Sequence, residues 1–320
     1  MVDQKSPVLY VLVTPACNEE KFIEFSLKSV VKQTLFPVKW VIVNDGSTDA
    51  TTSIVEEYAK KYDWIELVNL PKKKGRNFAA KVHAFNAGRE RLNGLEYDVI
   101  GNLDADVTLD EDHFEFLMGK FRDDPTLGVA GTIFVEGDGY SSGVDSFEGQ
   151  NYVSGQCQMF RRECFDEIGG YFPSKNGGID WIAVMTSRMI GWKTRSFREK
   201  SFFHHRLLGT ADRGVLGSNY VYGRKDYYLG GHPLWELFRS AYRLTKKPYV
   251  FAGVALFLGY MGAYIKHEER PVSKELMAFH RKEQMRRLRK ILVSLLTFKR
   301  IDRFELMPIE QPTRSVAHQK

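Results

Sequence analysis

Two aspartates separated by one residue, Asp104 and Asp106, follow the apolar, strand-like run of residues 97–100. Side chains at positions i and i+2 of an extended segment project to the same face, so the two carboxylates should lie together. Their mutual repulsion is unfavourable unless a cation compensates it. Mg²⁺ takes oxygen ligands, typically one or two carboxylates together with substrate phosphates. The spacing is therefore that of a metal and phosphate site, although two solvated aspartates in a turn would read the same way.

The elements that must position this pair alternate between strand and helix patterns over the first ~110 residues. The strand patterns are "VLYVLVTPA" (8–16), "KWVIVNDGSTDA" (39–50), "WIELVNL" (64–70) and "YDVIGNLDAD" (97–106). This alternation predicts an open α/β sheet of mostly parallel strands sandwiched by helices. Ligands bind at the carboxyl ends of the strands in such sheets. The polar clusters fall at those ends: Asn18-Glu19-Glu20, Asn44-Asp45-Gly46 and Asp104-Asp106.

Two further segments near this edge carry groups suited to a nucleotide. In "NDGSTD" (44–49), Asp45 could accept a hydrogen bond from a ribose hydroxyl or a base, although the segment also suits any turn. The cationic loop "KKKGRN" (72–77) precedes a predicted helix over 77–92 that contains Lys81. Lys81 lies among apolar residues, so we expect it to be partly buried and directed at phosphate. A solvated charge run is the alternative for the loop.

Five segments in order resemble the motifs of family 2 glycosyltransferases, which have the nucleotide-sugar-binding fold called GT-A. They are "VTPACNEE", "VIVNDGSTD", "AAKVHAFNAG", "NLDADV" and "SGQCQMFRRECFDEIGGYF". The second departs from the family pattern, because Asn44 replaces the commoner first Asp. Five motifs in order over ~190 residues make a chance match far less plausible than any single motif would.

The resemblance implies roles for individual residues and a requirement for Mg²⁺ or Mn²⁺. Asp106 would bind the metal, with Asp104 as a possible second ligand. In "SFFHHR" (201–206), strand alternation allows only one histidine to point inward, and we expect His204 to reach the metal and Arg206 to face phosphate. The donor-binding residues would be Pro15, Asn18, Glu19, Asp45, Lys81, Asn86 and Asp104. The acceptor side would contain Gly155, Arg161 and Trp181.

The resemblance also implies a catalytic base at Asp180. Family members usually have Glu-Asp at a helix start, with a glycine eleven residues after the Asp. In "NGGIDWIAVMTSRMIGWK", Asp180 and Gly191 have that spacing, and Ile179 replaces the Glu. A helix N-terminal acid favoured by the dipole is the alternative explanation for Asp180.

The composition is that of a globular protein with a modest basic excess. The chain has 320 residues, 43% of them hydrophobic, and a net charge of +6, which suits anionic partners such as nucleotides or phospholipids. It has three cysteines in no CxxC pair, and its N-terminus shows no basic-then-apolar leader. We therefore expect a cytoplasmic location.

The residues after about 215 differ in character from the rest. Residues 249–265 form a 17-residue uncharged run, and 277–299 combine a basic stretch with an apolar one. Positive charge on both sides of the first run opposes a crossing, so we expect a helical extension lying on a membrane surface. A helical subdomain or a dimer contact is the alternative. We divide the chain into a GT-A domain (1–215) and a C-terminal helical region (216–320).

The leading hypothesis is an inverting, metal-dependent glycosyltransferase that uses a nucleotide sugar. A UDP-linked hexose or N-acetylhexosamine is favoured, with a glycan or lipid-linked acceptor in surface polysaccharide or glycolipid assembly. A sugar-1-phosphate nucleotidyltransferase is less favoured, because "TPACNEE" is not a glycine-rich basic loop. A non-catalytic sugar- or lipid-binding scaffold would not need Asp106 and Asp180. A nucleic-acid binder is disfavoured, because no recognition motif is evident.

Overall fold

The computed structural model describes residues 7–71, 78–143, 149–174, 177–206 and 214–297. The cationic loop 72–77 lies outside these residues. The chain divides into two compact units, the first comprising Met1–Arg206 with Pro308–Lys320 and the second comprising Leu207–Met307.

The first unit contains one eight-stranded sheet. Its strands are β1 (Tyr10–Ala16), β2 (Lys39–Asp45), β3 (Ile65–Leu70), β4 (Val99–Leu103), β5 (Val107–Leu109), β6 (Leu127–Glu136), β7 (Cys157–Arg161) and β8 (Lys193–His204). Their order across the sheet is β3-β2-β1-β4-β7-β6-β8-β5. Strands β1 to β4 are parallel, as the sequence predicts. Strand β7 runs antiparallel to both β4 and β6, and β5 runs antiparallel to β8, so the second half of the sheet is mixed.

Helices cover both faces of this sheet. They are α1 (Ile23–Val30), α2 (Thr51–Lys61), α3 (Phe78–Glu90), α4 (His113–Asp123), α5 (Arg162–Glu167) and α6 (Ile179–Met189), with a 3₁₀ turn at Gly149–Asn151. The alternation of side chains along β1 separates the two cores. Tyr10 and Leu12 pack in one core with α1 and α2, whereas Val11 and Val13 pack in the other with α3 and α6.

The second unit is helical over its described part. Its helices are α7 (Gly214–Tyr228), α8 (Pro233–Leu244), α9 (Phe251–Ile265) and α10 (Lys274–Leu296). Helices α7 and α9 approach closely because each presents a glycine to the other. A Cβ on Gly223 would lie 1.8 Å from the Leu256 carbonyl oxygen, and one on Gly259 would lie 2.0 Å from that of Tyr220. Within the described residues, no helix combines the length and apolarity needed to cross a membrane.

Candidate functional site

The loops after β1 and β2 form one edge of the candidate site and are tied together by side chains. Asn18 has a positive φ of 56°, and its Oδ1 accepts a hydrogen bond from the Thr48 backbone N–H at 2.8 Å. The Glu19 backbone N–H donates to Thr51 Oγ1 at 2.7 Å. Neither contact uses the Glu19 carboxylate.

Asn44, which replaces the commoner Asp, is a buried structural residue. Its Nδ2 donates to Thr52 Oγ1 at 2.9 Å and to Asn69 Oδ1 at 2.8 Å, and its Oδ1 accepts from the Ser47 N–H at 2.9 Å. A carboxylate could not donate the first two hydrogen bonds. The amide therefore fixes the start of the "NDGSTD" turn, next to the half-buried Asp45.

Asp104 leaves the end of β4 and is held by three groups. Lys81 Nζ on α3 lies 2.6 Å from its Oδ1, Asn102 Nδ2 donates to the same oxygen at 3.0 Å, and its backbone N–H donates to the Gln156 carbonyl at 2.8 Å. Burial and the neighbouring charge of Asp106 raise the pKa of Asp104, against the opposing effect of Lys81. Burial opposes protonation of Lys81, but the carboxylates of Asp104, Asp180 and Asp106 raise its pKa overall.

Asp106 is buried next to His204 because of the pairing of the last strands. Strand β5 pairs Val107 with His204, and this brings His204 Nε2 to 3.6 Å from Asp106 Oδ2. On the other side, β6 pairs Glu136 with His204, and His204 Nδ1 lies 2.9 Å from Glu136 Oε1. The imidazole therefore lies between two buried carboxylates. Burial disfavours the charged ring, but Asp106 and Glu136 outweigh it and raise the pKa of His204.

A second cation, Arg206, joins this group to the first loop. Its Nε lies 3.5 Å from Asp106 Oδ2, and its Nη2 donates to Glu19 Oε2 at 2.5 Å. Burial opposes ionisation of Asp106, but His204 and Arg206 overcome this and lower its pKa. The Arg206 side chain is 41% exposed, so an anionic ligand can reach it. His205, by contrast, stacks on Phe25 at 4.6 Å between ring centroids.

Asp180 is held at the start of α6 by the loop before β7. Gly177 and Gly178 precede it with φ values of 85° and 81°, which only glycine adopts without strain. The Tyr152 hydroxyl donates a hydrogen bond to Asp180 Oδ2. A Cβ on Gly155 would lie 2.8 Å from the Asp180 Cβ, and the Gly155 carbonyl accepts from Asn102 at 2.5 Å. Residues 152–156 therefore contact both Asp180 and the Asp104 side of the site.

The other residues expected at the site differ in whether they contact this cluster. Pro15 lies in β1, and Trp181 is buried directly after Asp180. Among the hydrogen bonds and ion pairs of the described chain, none joins Asp45 or Asn86 to the carboxylates. Asn86 is exposed on α3, and Asp45 lies at the carboxyl end of β2.

Arg161 does not lie where the sequence led us to expect. It pairs with Val99, at the amino end of β4, whereas Asp104 follows the carboxyl end. Its Nη2 donates to the carbonyls of Phe121 and Asp124 at 2.7 and 3.1 Å, and its Nε donates to that of Leu127 at 3.1 Å. Arg161 thus donates hydrogen bonds to carbonyl groups at the C-terminal end of α4, which have no partner within the helix. We therefore exclude Arg161 from the candidate site.

Three residues of the candidate site were not predicted from the sequence. Glu136 reaches His204, Tyr152 reaches Asp180, and Asn102 links Asp104 to Gly155. Only Asn102 had a local signal, since it is a polar residue two positions before Asp104 on a buried strand. Glu136 and Tyr152 depend on contacts across 68 and 28 residues of sequence.

The match to a known family covers the first part of the chain. Residues 11–152 match the model of glycosyl transferase family 2. The poly-beta-1,6-N-acetyl-D-glucosamine synthase of Staphylococcus epidermidis is 32% identical over 212 residues, which are 60% of this chain and 47% of that protein. The chain thus spans less than half of the length of this and similar curated relatives.

Solved structures with the same fold are more distant in sequence. A mannosyltransferase from Pyrobaculum calidifontis, in complex with GDP-Man and Mn²⁺, has a TM-score of 0.51 at 18% identity and covers 93% of this chain and 91% of its own. Residues 1–349 of TarS from S. aureus, in complex with UDP-GlcNAc, have a TM-score of 0.52 at 16% identity. The match covers 93% of this chain and 89% of that chain. These similarities establish the GT-A fold of this chain.

Proposed function

Because residues 11–152 match the model of glycosyl transferase family 2, we propose that this chain transfers a sugar from a nucleotide-sugar donor to an acceptor hydroxyl with inversion. The observation that carries the proposal is the shared loop 152–156. It binds the Asp180 carboxylate through the Tyr152 hydroxyl, lies so close to Asp180 at Gly155 that a Cβ there would clash, and contacts Asp104 through the Gln156 carbonyl. A candidate base and a candidate diphosphate site are thus fixed by the same five residues.

Asp180 is the proposed base. It takes the proton from the acceptor hydroxyl as the acceptor oxygen forms its bond to the anomeric carbon, and the bond from that carbon to the donor phosphate breaks. The nucleoside diphosphate leaves from the opposite face of the sugar. The Tyr152 hydroxyl donates to Oδ2 and so orients the carboxylate, which keeps further lone pairs for the acceptor proton.

The residues around Asp106 fit a divalent cation. A carboxylate and an imidazole lie 3.6 Å apart, with a second carboxylate on the far side of the ring to orient it, as in many metal sites. The described residues contain no group of three or more His, Cys, Asp or Glu side chains that could hold a metal alone. Asp106 and His204 would therefore share Mg²⁺ or Mn²⁺ with the donor diphosphate. When bound, the cation would neutralise charge on the leaving group.

The cations of the site would assist in binding the donor. Lys81 is paired with Asp104, and Arg206 is paired with Glu19 and Asp106, so each is oriented towards the same edge of the sheet. The partly exposed Arg206 side chain suits phosphate oxygens. Asp45, at the end of β2, remains our proposed contact for the ribose or base.

A UDP-linked N-acetylhexosamine is the donor that we favour. The S. epidermidis relative is a poly-beta-1,6-N-acetyl-D-glucosamine synthase, and the structure of TarS was determined with UDP-GlcNAc. The acceptor would be a glycan or a lipid-linked glycan in surface polysaccharide or glycolipid assembly. We place the reaction at the cytoplasmic face of a membrane.

A donor panel tests this proposal. The protein would be incubated with Mn²⁺ and UDP-GlcNAc, UDP-Glc, GDP-Man or dTDP-Glc, and nucleoside diphosphate release and donor binding would be followed. We expect metal-dependent binding of UDP-sugars and slow release of UDP. Failure of every donor to bind or turn over, with and without metal, would contradict the proposal.

A further inference from the structure

The outer faces of helices α8 and α9 are apolar where a water-facing helix would be polar. On α9, the exposed positions Phe251, Val254, Leu258 and Ile265 recur at helical spacing, with exposures of 67, 44, 54 and 68%. On α8, Leu234 and Leu237 are each 54% exposed. We call these six side chains the outer stripe. A row of large apolar side chains on this scale marks an interaction surface rather than scattered exposure.

The interior of the same unit is unusually polar. Its buried side chains include Asn219, Glu236, Ser240, His280, Glu283, Gln284 and Arg287. Burial, with the charge of Asp226, raises the pKa of Glu236 to about 9, so this carboxyl is neutral at pH 7. These polar groups share the interior with apolar side chains such as Trp235, Leu256 and Tyr260, while large apolar side chains are left on the outside. The outer stripe is thus suited to an apolar environment.

The net charge of the helical unit indicates which kind of partner can cover the outer stripe. Residues 214–297 contain 15 Lys and Arg and 6 Asp and Glu, a net charge of +9, compared with +6 for the whole chain. Lys246 and Lys247 precede α9 and Lys266 follows it, so cations lie at both ends of the uncharged helix. Exposed tyrosines, Tyr249 and Tyr264, lie beside them. Lysines and tyrosines at the ends of an apolar stripe are typical of segments at a lipid interface.

We propose that the outer stripe of α8 and α9 docks onto the surface of an anionic lipid bilayer. The apolar side chains would enter the boundary between headgroups and acyl chains, and Lys246, Lys247 and Lys266 would contact anionic headgroups. A second copy of the chain is a poorer occupant, because it would bring another unit of charge +9 against the first. The partner that offers an apolar layer below negative charge is a membrane. This inference specifies the surface behind the proposed membrane location and does not depend on the transfer reaction.

Vesicle flotation of the full chain tests this surface. Vesicles of phosphatidylcholine alone and with phosphatidylglycerol would be compared for wild type, Phe251→Glu/Leu258→Glu, and Lys246→Ala/Lys247→Ala. We expect the wild type to bind anionic vesicles at least about tenfold more tightly than neutral ones, and each double variant to lose about tenfold. Phe36→Glu, which changes a 53% exposed aromatic residue in the first unit, should leave binding unchanged.

Circular dichroism and size-exclusion chromatography make the outcome interpretable. Retained helicity with lost flotation supports the docking surface. Wild-type flotation by both folded double variants would overturn it. So would a wild type that ignores vesicles and forms a dimer abolished by Phe251→Glu/Leu258→Glu, since the stripe would then join two copies. UDP-sugar binding, measured on the same samples, separates this result from the test of the transferase proposal.

Discussion

The Tyr152 hydroxyl donates a hydrogen bond to Oδ2 of Asp180, across 28 residues of sequence. Tyr152 follows the 3₁₀ turn at Gly149–Asn151, whereas Asp180 begins α6. The contact holds one of the two carboxylate oxygens in place. It makes Tyr152 a positioning residue for the proposed base.

We predict that Tyr152→Phe slows transfer without weakening donor binding. Loss of one orienting hydrogen bond should lower kcat by about tenfold, because misorientation of a base is costly, whereas the proposed donor contacts are on the Asp104 side. The measurement is kcat together with the Kd for the UDP-sugar. Tyr97→Phe, away from the site, is the matched control. A change in Kd at constant kcat would show that Tyr152 acts on the donor instead.

Gly155 should tolerate no side chain. A Cβ there would lie 2.8 Å from the Asp180 Cβ, so Gly155→Ala must displace the base or its loop. We expect kcat/KM to fall by about 10- to 100-fold, as a displacement near 1 Å can cause. Gly119→Ala is the control, because its nearest new contact would be Arg122 Nη2 at 3.8 Å. Full activity of Gly155→Ala would mean that Asp180 need not be held where the structure places it.

Glu136 should act on metal affinity through His204. Its Oε1 lies 2.9 Å from His204 Nδ1, which leaves Nε2 directed at Asp106. Glu136→Gln keeps the size but removes the charge, and we expect Mn²⁺ binding in the presence of UDP to weaken by about 10- to 100-fold. Isothermal titration with Mn²⁺ would measure this, with the exposed Glu90→Gln as control. Unchanged Mn²⁺ affinity would remove His204 and Glu136 from the proposed metal site.

His113 should make the folded state sensitive to acid. The ring is fully buried, and burial together with Lys200 lowers its pKa to about 4 from 6.5. Between these values the unfolded chain binds more protons than the folded one, so stability falls as the pH drops from about 6.5 to 4. The loss should reach about 3 kcal/mol when complete, since each pKa unit corresponds to about 1.4 kcal/mol.

Urea unfolding of wild type and His113→Leu at pH 7 and pH 4.5 would isolate this contribution. We expect the variant to be within about 1 kcal/mol of wild type at pH 7, because Leu replaces a buried polar ring with an apolar group. Between pH 7 and pH 4.5, the free energy of unfolding of the variant should fall by about 2 to 3 kcal/mol less than that of wild type. His83→Gln, on an exposed position of α3, should behave as wild type. Equal acid sensitivity of His113→Leu and wild type would contradict the assignment.

The parts of the site that the sequence predicts are those fixed by local patterns. Buried strands followed by polar residues placed Asp45 and Asp104 at one edge, because parallel strands share their carboxyl end. Strand alternation indicated which histidine would be buried, and His204 is indeed 4% exposed. Asp180 is a candidate by resemblance and spacing alone, and it lies against the loop that also contacts Asp104.

The parts that the sequence did not predict depend on strand order and direction. Nothing local shows that β7 runs antiparallel to β4, and this direction puts Gly155 beside the site but Arg161 at the opposite end of the sheet. The Glu136 contact requires β6 to pair in parallel with β8, and two shifts in register occur along that pair. A carboxylate at a strand end looks the same in sequence whether it orients a histidine or faces water.

The most direct test of the account is Asp180→Asn, measured for transfer and for donor binding in the same preparation. The substitution keeps the size of the side chain and can still accept from Tyr152, but it removes the group that takes the acceptor proton. We predict that sugar transfer with Mn²⁺ falls by at least about 100-fold while the Kd for the UDP-sugar changes by less than about threefold. Transfer at the wild-type rate by Asp180→Asn would contradict the account, because the acceptor would then be activated by another residue.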